Sequence, residues 1–264
     1  MKKRSQYDKA LNMVVKPYGF FKCRRTFLRL CGDGVIQSAV YSYEPHSGSG
    51  DGYCLYFNTG SIYEHLLFGF TGDVAEMTDG TYAAEYFARK HDMSRSAAWS
   101  WDEIKQLSVF SREILPALEN VTSQEEVFRF HQEIMLLEHG EIPKHLTKDL
   151  YLMLHLGMYD GAYRTTLAYI DYCRDTCSRN CRSFRQNYSP EAIRAYRLRS
   201  ESELKPYLRI RACLEKEDHT GIYCILEDQR DRNLNTLASM LPKSRQGKLA
   251  AFRNGIADDG LNGQ

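Results

Sequence analysis

The feature that most constrains this chain is a change of hydrophobic period. Phe20 to Cys31, Gly34 to Tyr43 and Gly52 to Asn58 are short runs rich in aromatic and β-branched residues. From about residue 102 apolar residues instead recur every three or four positions. Periods of two and of 3.6 need different elements, so the sequence predicts a sheet-bearing front and a helical back. Gly32-Asp33-Gly34 is a hairpin signal between the first two runs, and the loop Pro45 to Gly52 separates the next two. Three strands joined by short connections predict an antiparallel meander. Ahead of it, Tyr7, Ala10, Leu11, Val14 and Val15 have helical spacing and Pro17 ends them, which predicts a helix over 5–16. A further hairpin is expected from Thr81 to His91 and Ala97 to Trp101, with Ser61 to Gly80 left unassigned.

In the back half, Asp102 to Leu118, Lys148 to Leu156, Tyr163 to Arg185 and Ile222 to Leu241 carry apolar residues at helical spacing. Ser123 with Glu126 reads as a capping box, and Ser189-Pro190-Glu191 as an N-cap followed by proline at the first helical position. Leu154-x-Leu156-Gly157-x-Tyr159 resembles the turn of a helical hairpin, in a single copy. The expected class is therefore α+β: an antiparallel sheet with an N-terminal helix over 1–120, then an all-α region over 121–256 without strands, and a frayed tail over 257–264.

The net charge of +1 hides strong local imbalance. Residues 1–30 hold nine Lys/Arg against Asp8 alone, residues 33–141 hold six basic against eighteen acidic residues, and residues 174–211 hold ten basic against four acidic. Such blocks predict contact between segments or separate partner faces. Lys2, Lys3 and Arg4 are followed by Gln6, Asp8, Lys9 and Asn12 rather than an unbroken apolar stretch, so no secretory signal is read. No uncharged run approaches the ~18 residues that span a bilayer. A cytoplasmic location, and therefore reduced thiols at the eight cysteines, is expected.

The run Leu11…Lys16-Pro17-Tyr18-Gly19-Phe20-x-Lys22, followed by Arg25-x-Phe27-x-Arg29 and Gly34-Val35-Ile36-Gln37, resembles an uncharacterised bacterial family of the domain-of-unknown-function kind. Trp99-x-Trp101 and Ile114-Leu115-Pro116 would match its later part. The resemblance covers about residues 6–130 and implies an α+β sheet domain. Some such families sit near toxin–immunity loci. No catalytic residues come with the resemblance.

Three clusters stand out as candidate sites. Tyr41, Tyr43, Tyr53 and Tyr56 gather on the meander within the acidic block. If exposed, they would anchor a basic protein partner by area burial; on a covered sheet face they would be core. The Arg-rich segment 174–211, with Arg194, Arg197 and Arg199 central to it, could contact phosphate, with Tyr188, Tyr196 and Tyr207 interleaved for base stacking. The alternative is a solvated helix face, and no nucleic-acid-binding signature supports the first reading. Cys173-x3-Cys177-x3-Cys181 invites a metal. However, Leu167, Ile170, the three cysteines and Phe184 share one helical arc, and Cys173 and Cys181 would lie ~12 Å apart, too far to share one ion. These cysteines are read as buried stripe rather than ligands.

Other fragments carry little chemistry. Gly48-Ser-Gly50-Asp-Gly52, beside His46, lacks the lysine and helix of a phosphate loop. The histidines form no H-E-x-x-H, and His139-Gly-Glu141 lacks a downstream cysteine pair at deaminase spacing. No G-x-S-x-G, Walker A or Rossmann fingerprint occurs. The leading expectation is a non-catalytic protein-binding module without a cofactor, immunity-like in that a basic partner would suit its acidic front. The alternatives are a nucleic-acid-associated protein and a thiol or metal enzyme.

Overall fold

Two ten-residue strands organise the front of the molecule. In the computed structural model, which describes residues 2–44, 52–64, 81–94, 102–139 and 147–259, helix α1 (Lys2–Val15) passes through the turn Lys16–Tyr18 into five strands. These are β1 (Phe21–Cys23), β2 (Thr26–Leu30), β3 (Val35–Glu44), β4 (Gly52–Ser61) and β5 (Thr81–Tyr82). They form one antiparallel sheet in the order β1-β2-β3-β4-β5. Helices follow: α2 (Ala83–Lys90), α3 (Glu103–Val109), a π-helical turn Phe110–Ile114, α4 (Leu115–Glu119), α5 (Gln124–His139), α6 (Leu150–His155), α7 (Tyr159–Phe184), α8 (Pro190–Glu215), α9 (His219–Met240) and α10 (Gln246–Asp259). The class is α+β, and among the described residues beyond 121 there is no strand.

Two strand expectations need correction. Phe20 to Cys31 is not one strand but a hairpin, with Cys23 paired to Thr26 across Arg24-Arg25 and Arg24 at φ +53°. Neither arginine is a turn former, so composition hid the reversal. Thr81 to His91 is strand only at Thr81–Tyr82, after which Ala83–Lys90 is helical. Tyr82, Tyr86 and Phe87 suggested a strand, but the alanines favour helix. Glu85 and Arg89, one turn apart, are joined by an ion pair of 2.7 Å. The expected partner strand Ala97 to Trp101 lies outside the described residues, as do His46 and Gly48 to Gly50.

The Gly32-Asp33-Gly34 turn forms as expected and is locked from outside. Gly34 has φ +70°, and a Cβ there would lie 2.6 Å from Ile62 Cγ2. Asp33 accepts a 2.8 Å hydrogen bond from the Gln124 backbone N–H, capping α5 from across the fold. The capping box is reciprocal: Ser123 N–H donates to Glu126 at 3.0 Å and Glu126 N–H to Ser123 Oγ at 3.3 Å. Backbone N–H groups of Thr122 and then Ser123 hold the Glu126 carboxyl below its usual range.

One sheet face packs Phe57 against Tyr86, Phe110 and Phe130, with ring centroids 5.5–6.3 Å apart. Gln37, fully buried, donates to the carbonyls of Leu118 in α4 and of Val121 just after it. Strand β5 covers β4 only at Tyr56 and Phe57. Further along that edge the Gln106 amide takes over, accepting from Leu55 N–H at 2.8 Å and donating to Tyr53 O at 3.4 Å.

The chain divides into two compact units, 1–141 with 230–264, and 142–229, rather than at a single break near 120. The sheet unit keeps the helices up to 139 and regains the chain at Arg230. There Asn233 donates to Ile62 O and Glu64 O, and Cys23 Sγ to Met240 O. Arg245 and Lys248 lie over the Phe21 ring. In the second unit Gly157, at φ +70°, turns α6 into α7. Helices α7 and α8 then run antiparallel. Tyr163 meets Glu215, the Tyr169 and Tyr207 rings are 4.4 Å apart, and Asn180 meets the Tyr196 hydroxyl.

Candidate docking arm and thiol groove

The expected tyrosine face is not a free surface. Tyr41 is 1% exposed and donates its hydroxyl to Glu103 O at 3.1 Å, and burial pushes its phenol far above the ordinary value. Tyr7 of α1 lies 5.6 Å from the Tyr41 ring and 5.3 Å from Tyr53. Tyr53 is half-buried, and so is Tyr56, which packs at 5.6 Å against Tyr82. Tyr43 pairs with Tyr53 in the β3–β4 register. Elements of the sheet unit itself, α1 and α3, do the covering. As an exposed anchor Tyr41 must be withdrawn, because two-sided packing of β3 makes it core.

Many acids of the front block already have short-range work. Asp102 caps α3 through Lys105 N–H at 2.8 Å, and Glu126 and Asp33 serve α5. Glu113 meets His91 at 2.8 Å, and Glu133 accepts the Tyr86 hydroxyl at 2.9 Å. Helix capping and local pairing account for carboxylates that composition had suggested as a docking field.

A buried polar cluster escaped sequence reasoning. His131, 1% exposed, donates Nε2–H to Thr59 O at 2.7 Å, with Nδ1 3.9 Å from Glu64 Oε1. Glu64 accepts from Ser61 N–H at 2.8 Å, while Ser61 Oγ accepts from Tyr63 N–H. Serine, histidine and glutamate occur together here, but all are sealed from solvent and the serine oxygen serves a turn. The cluster staples the end of β4 to α5. No motif signalled it, because His131 lies 72 residues from its partner Thr59.

Among the described residues, the α7–α8 hairpin includes a long stretch with almost no buried side chain. From 171 to 203 Cys181 alone is buried. The two helices continue past their packed base as an arm with a thin seam of half-buried Cys173, Cys177, Phe184, Ile193 and Tyr196. Ser189 caps α8 as expected, accepting from Ala192 N–H at 3.3 Å. The arm's end, 178–199, holds six arginines against Glu191 alone. Tyr188 and Leu198 stand out from it at 59% and 58% exposure.

The three arginines singled out from sequence do not act together. Arg194 is exposed near the end of the arm. Arg199 pairs with Glu203 at 3.0 Å in solvent. Arg197 reaches inward and donates Nε–H to Cys181 Sγ at 3.4 Å. Of the interleaved tyrosines only Tyr188 is exposed, and it too meets Phe184 edge-on, at 5.2 Å. Tyr207 is buried, and Tyr196 sits edge-on to Phe184 at 5.3 Å.

Beside the seam a groove of about 490 Å³ is lined by Cys173, Cys177, Arg197, Ser200, Glu201 and Leu204, among others. The Cys177 and Cys181 sulfurs lie 4.0 Å apart. Burial raises the Cys177 thiol, opposed by a hydrogen bond with Ser200. The stripe reading holds for Cys181, whereas Cys173 and Cys177 are only half-buried and border open space. Among the described residues no three metal-ligating side chains converge, and no helix is long and apolar enough to cross a membrane. A second hollow, about 350 Å³ between Arg230 and Arg253, has its Arg230 guanidinium already on Asp231 at 3.1 Å. No family model matches the chain, and neither a curated protein nor a solved structure matches it.

Proposed function

We propose that this protein is a non-catalytic binding module that offers the end of its α7–α8 arm to an acidic protein partner. The observation that carries this reading is the arm itself, 33 residues with one buried side chain and six arginines against one acid at its end. Such a surface steers an acidic partner by charge and anchors it by covering Tyr188 and Leu198. The binding role anticipated from sequence is kept, but its surface and the partner's sign change. An immunity-like docking of a basic toxin needed the tyrosine face, and Tyr41 of that face is core. Nucleic acid is the weaker reading, since a stacking platform needs successive aromatics and of the interleaved tyrosines only Tyr188 is exposed.

The test is affinity capture from the native host with the wild type and with Arg182→Glu, Arg185→Glu and Arg194→Glu combined. These residues are all exposed, so circular dichroism should be unchanged. An acidic protein retained by the wild type, and lost both in the variant and at raised salt, supports the reading. Capture that survives charge reversal, or that delivers nucleic acid, overturns it.

A further inference from the structure

Two stretches of the sheet unit carry no acid at all. Residues 9–32 hold six Lys/Arg and residues 232–257 hold five, and neither contains an Asp or Glu. The fold brings these stretches, far apart in the chain, to one edge of the sheet, where β1 is the outermost strand. On one side of β1, Lys22 meets Asp8 of α1 at 2.7 Å. On the other, Phe21 lies beneath Arg245 and Lys248, and Cys23 Sγ donates to Met240 O at 3.4 Å. Arg24 and Arg25 are exposed at the tip of the β1–β2 hairpin, and Lys243, Arg245 and Lys248 are exposed at the start of α10 and just before it. Of these six cations, Lys22 alone has a carboxylate partner among the described residues. We infer that this edge is a docking surface for an anionic lipid leaflet.

A lysine or two suffices to keep a three-residue edge strand from pairing with another chain. The cations here exceed that need, and like charges held together repel one another unless an anion joins them. The choice of anion rests on what stands between the charges. A protein partner takes a central cluster of apolar anchors, and single-stranded nucleic acid takes stacked aromatics. Among the described residues of the two stretches, the one exposed large apolar side chain is Met13, at 76%. Lys9 and Lys16, both exposed, lie about one turn to either side of it on α1. A phosphate backbone gains nothing from a methionine at that place. A leaflet takes the thioether into its headgroup boundary and the lysines onto its phosphates. This surface lies within the sheet unit and needs neither the α7–α8 arm nor an acidic protein.

The full chain is sedimented at physiological salt with vesicles of equal parts phosphatidylglycerol and phosphatidylcholine, and with vesicles of phosphatidylcholine alone. Binding to the mixed vesicles only is expected, and raised salt should release it by screening the exposed charges. Each cation removed should weaken binding about fivefold, so Arg25→Gln, Arg245→Gln and Lys248→Gln combined should weaken it about 100-fold. Met13→Ser should weaken it as well, and this exposed position decides should the triple variant unfold, as circular dichroism would show. The arm variant with Arg182→Glu, Arg185→Glu and Arg194→Glu should bind as the wild type does. Mixed-sequence duplex DNA should not displace the protein from the vesicles. No binding to the mixed vesicles, equal binding to both kinds, binding untouched by Met13→Ser, loss in the arm variant, or displacement by the DNA would overturn the assignment.

Discussion

The turn at 32–34 permits a sharp test, because its two glycines differ physically. Gly34 has φ +70°, and an added methyl would sit 2.6 Å from Ile62 Cγ2 and 3.2 Å from Gln124 Nε2. Ile62 is fully buried and donates its N–H to Gly34 O at 2.8 Å, so it cannot retreat without breaking the turn. Left-handed backbone costs an L-residue about 1–2 kcal/mol. Forcing a methyl into a packed site costs about 1–3 kcal/mol more. Gly34→Ala should therefore destabilise the sheet unit by about 2–5 kcal/mol, summing those two ranges. Gly32 has neither a positive φ nor any atom within 4 Å of an added methyl. Gly32→Ala should change stability by no more than about 0.5 kcal/mol, as other unconstrained surface changes do. Urea unfolding followed by tryptophan fluorescence and by far-ultraviolet circular dichroism measures both variants and checks that a single transition is being read. Equal effects from the two alanines, or less than about 1 kcal/mol from Gly34→Ala, would refute the claim that Ile62 and the start of α5 lock this turn.

Tyr41→Phe removes one hydrogen bond from a filled site, and urea unfolding should report a loss of about 0.5–1.5 kcal/mol. Gln106→Ala leaves the buried Leu55 N–H without its amide partner and should cost about 1–3 kcal/mol by the same measurement. Because the folded Glu126 carboxyl lies below its free value of 4.5, the unfolded chain binds the proton more readily. Its stabilisation is thus full above that value and is lost as pH falls through the lower folded one. Glu126→Gln should reduce stability at neutral pH and flatten the acid-side slope of stability against pH. An unchanged slope would show that the capping box contributes nothing through charge.

The elements that were legible in the sequence depend on neighbours in the chain. Ser189 with Pro190, Ser123 with Glu126, and Pro17 after an apolar helical run are bounded by their own residues, and each marks its helix end as expected. The meander was legible because Gly32-Asp33-Gly34 carries turn chemistry. The Arg24-Arg25 reversal was not, since its φ of +53° is imposed by the pairing of β1 with β2. Ala83–Lys90 carries strand-forming aromatics, but its alanines and its Glu85–Arg89 pair favour the helix it forms.

The sequence by itself determined where the period changes, which residues cap helices, and where charge collects, because propensity, capping and turn chemistry act over a few residues. Only the tertiary structure decided that Tyr41 is core and that Arg230–Asp259 returns to the sheet unit. It also decided that Arg197 turns to a thiol while Arg199 pairs with Glu203. Burial and side-chain pairing depend on what arrives from elsewhere in the chain. Tyr41 meets Glu103, and Ile62 meets Asn233 171 residues on; no local pattern encodes either meeting.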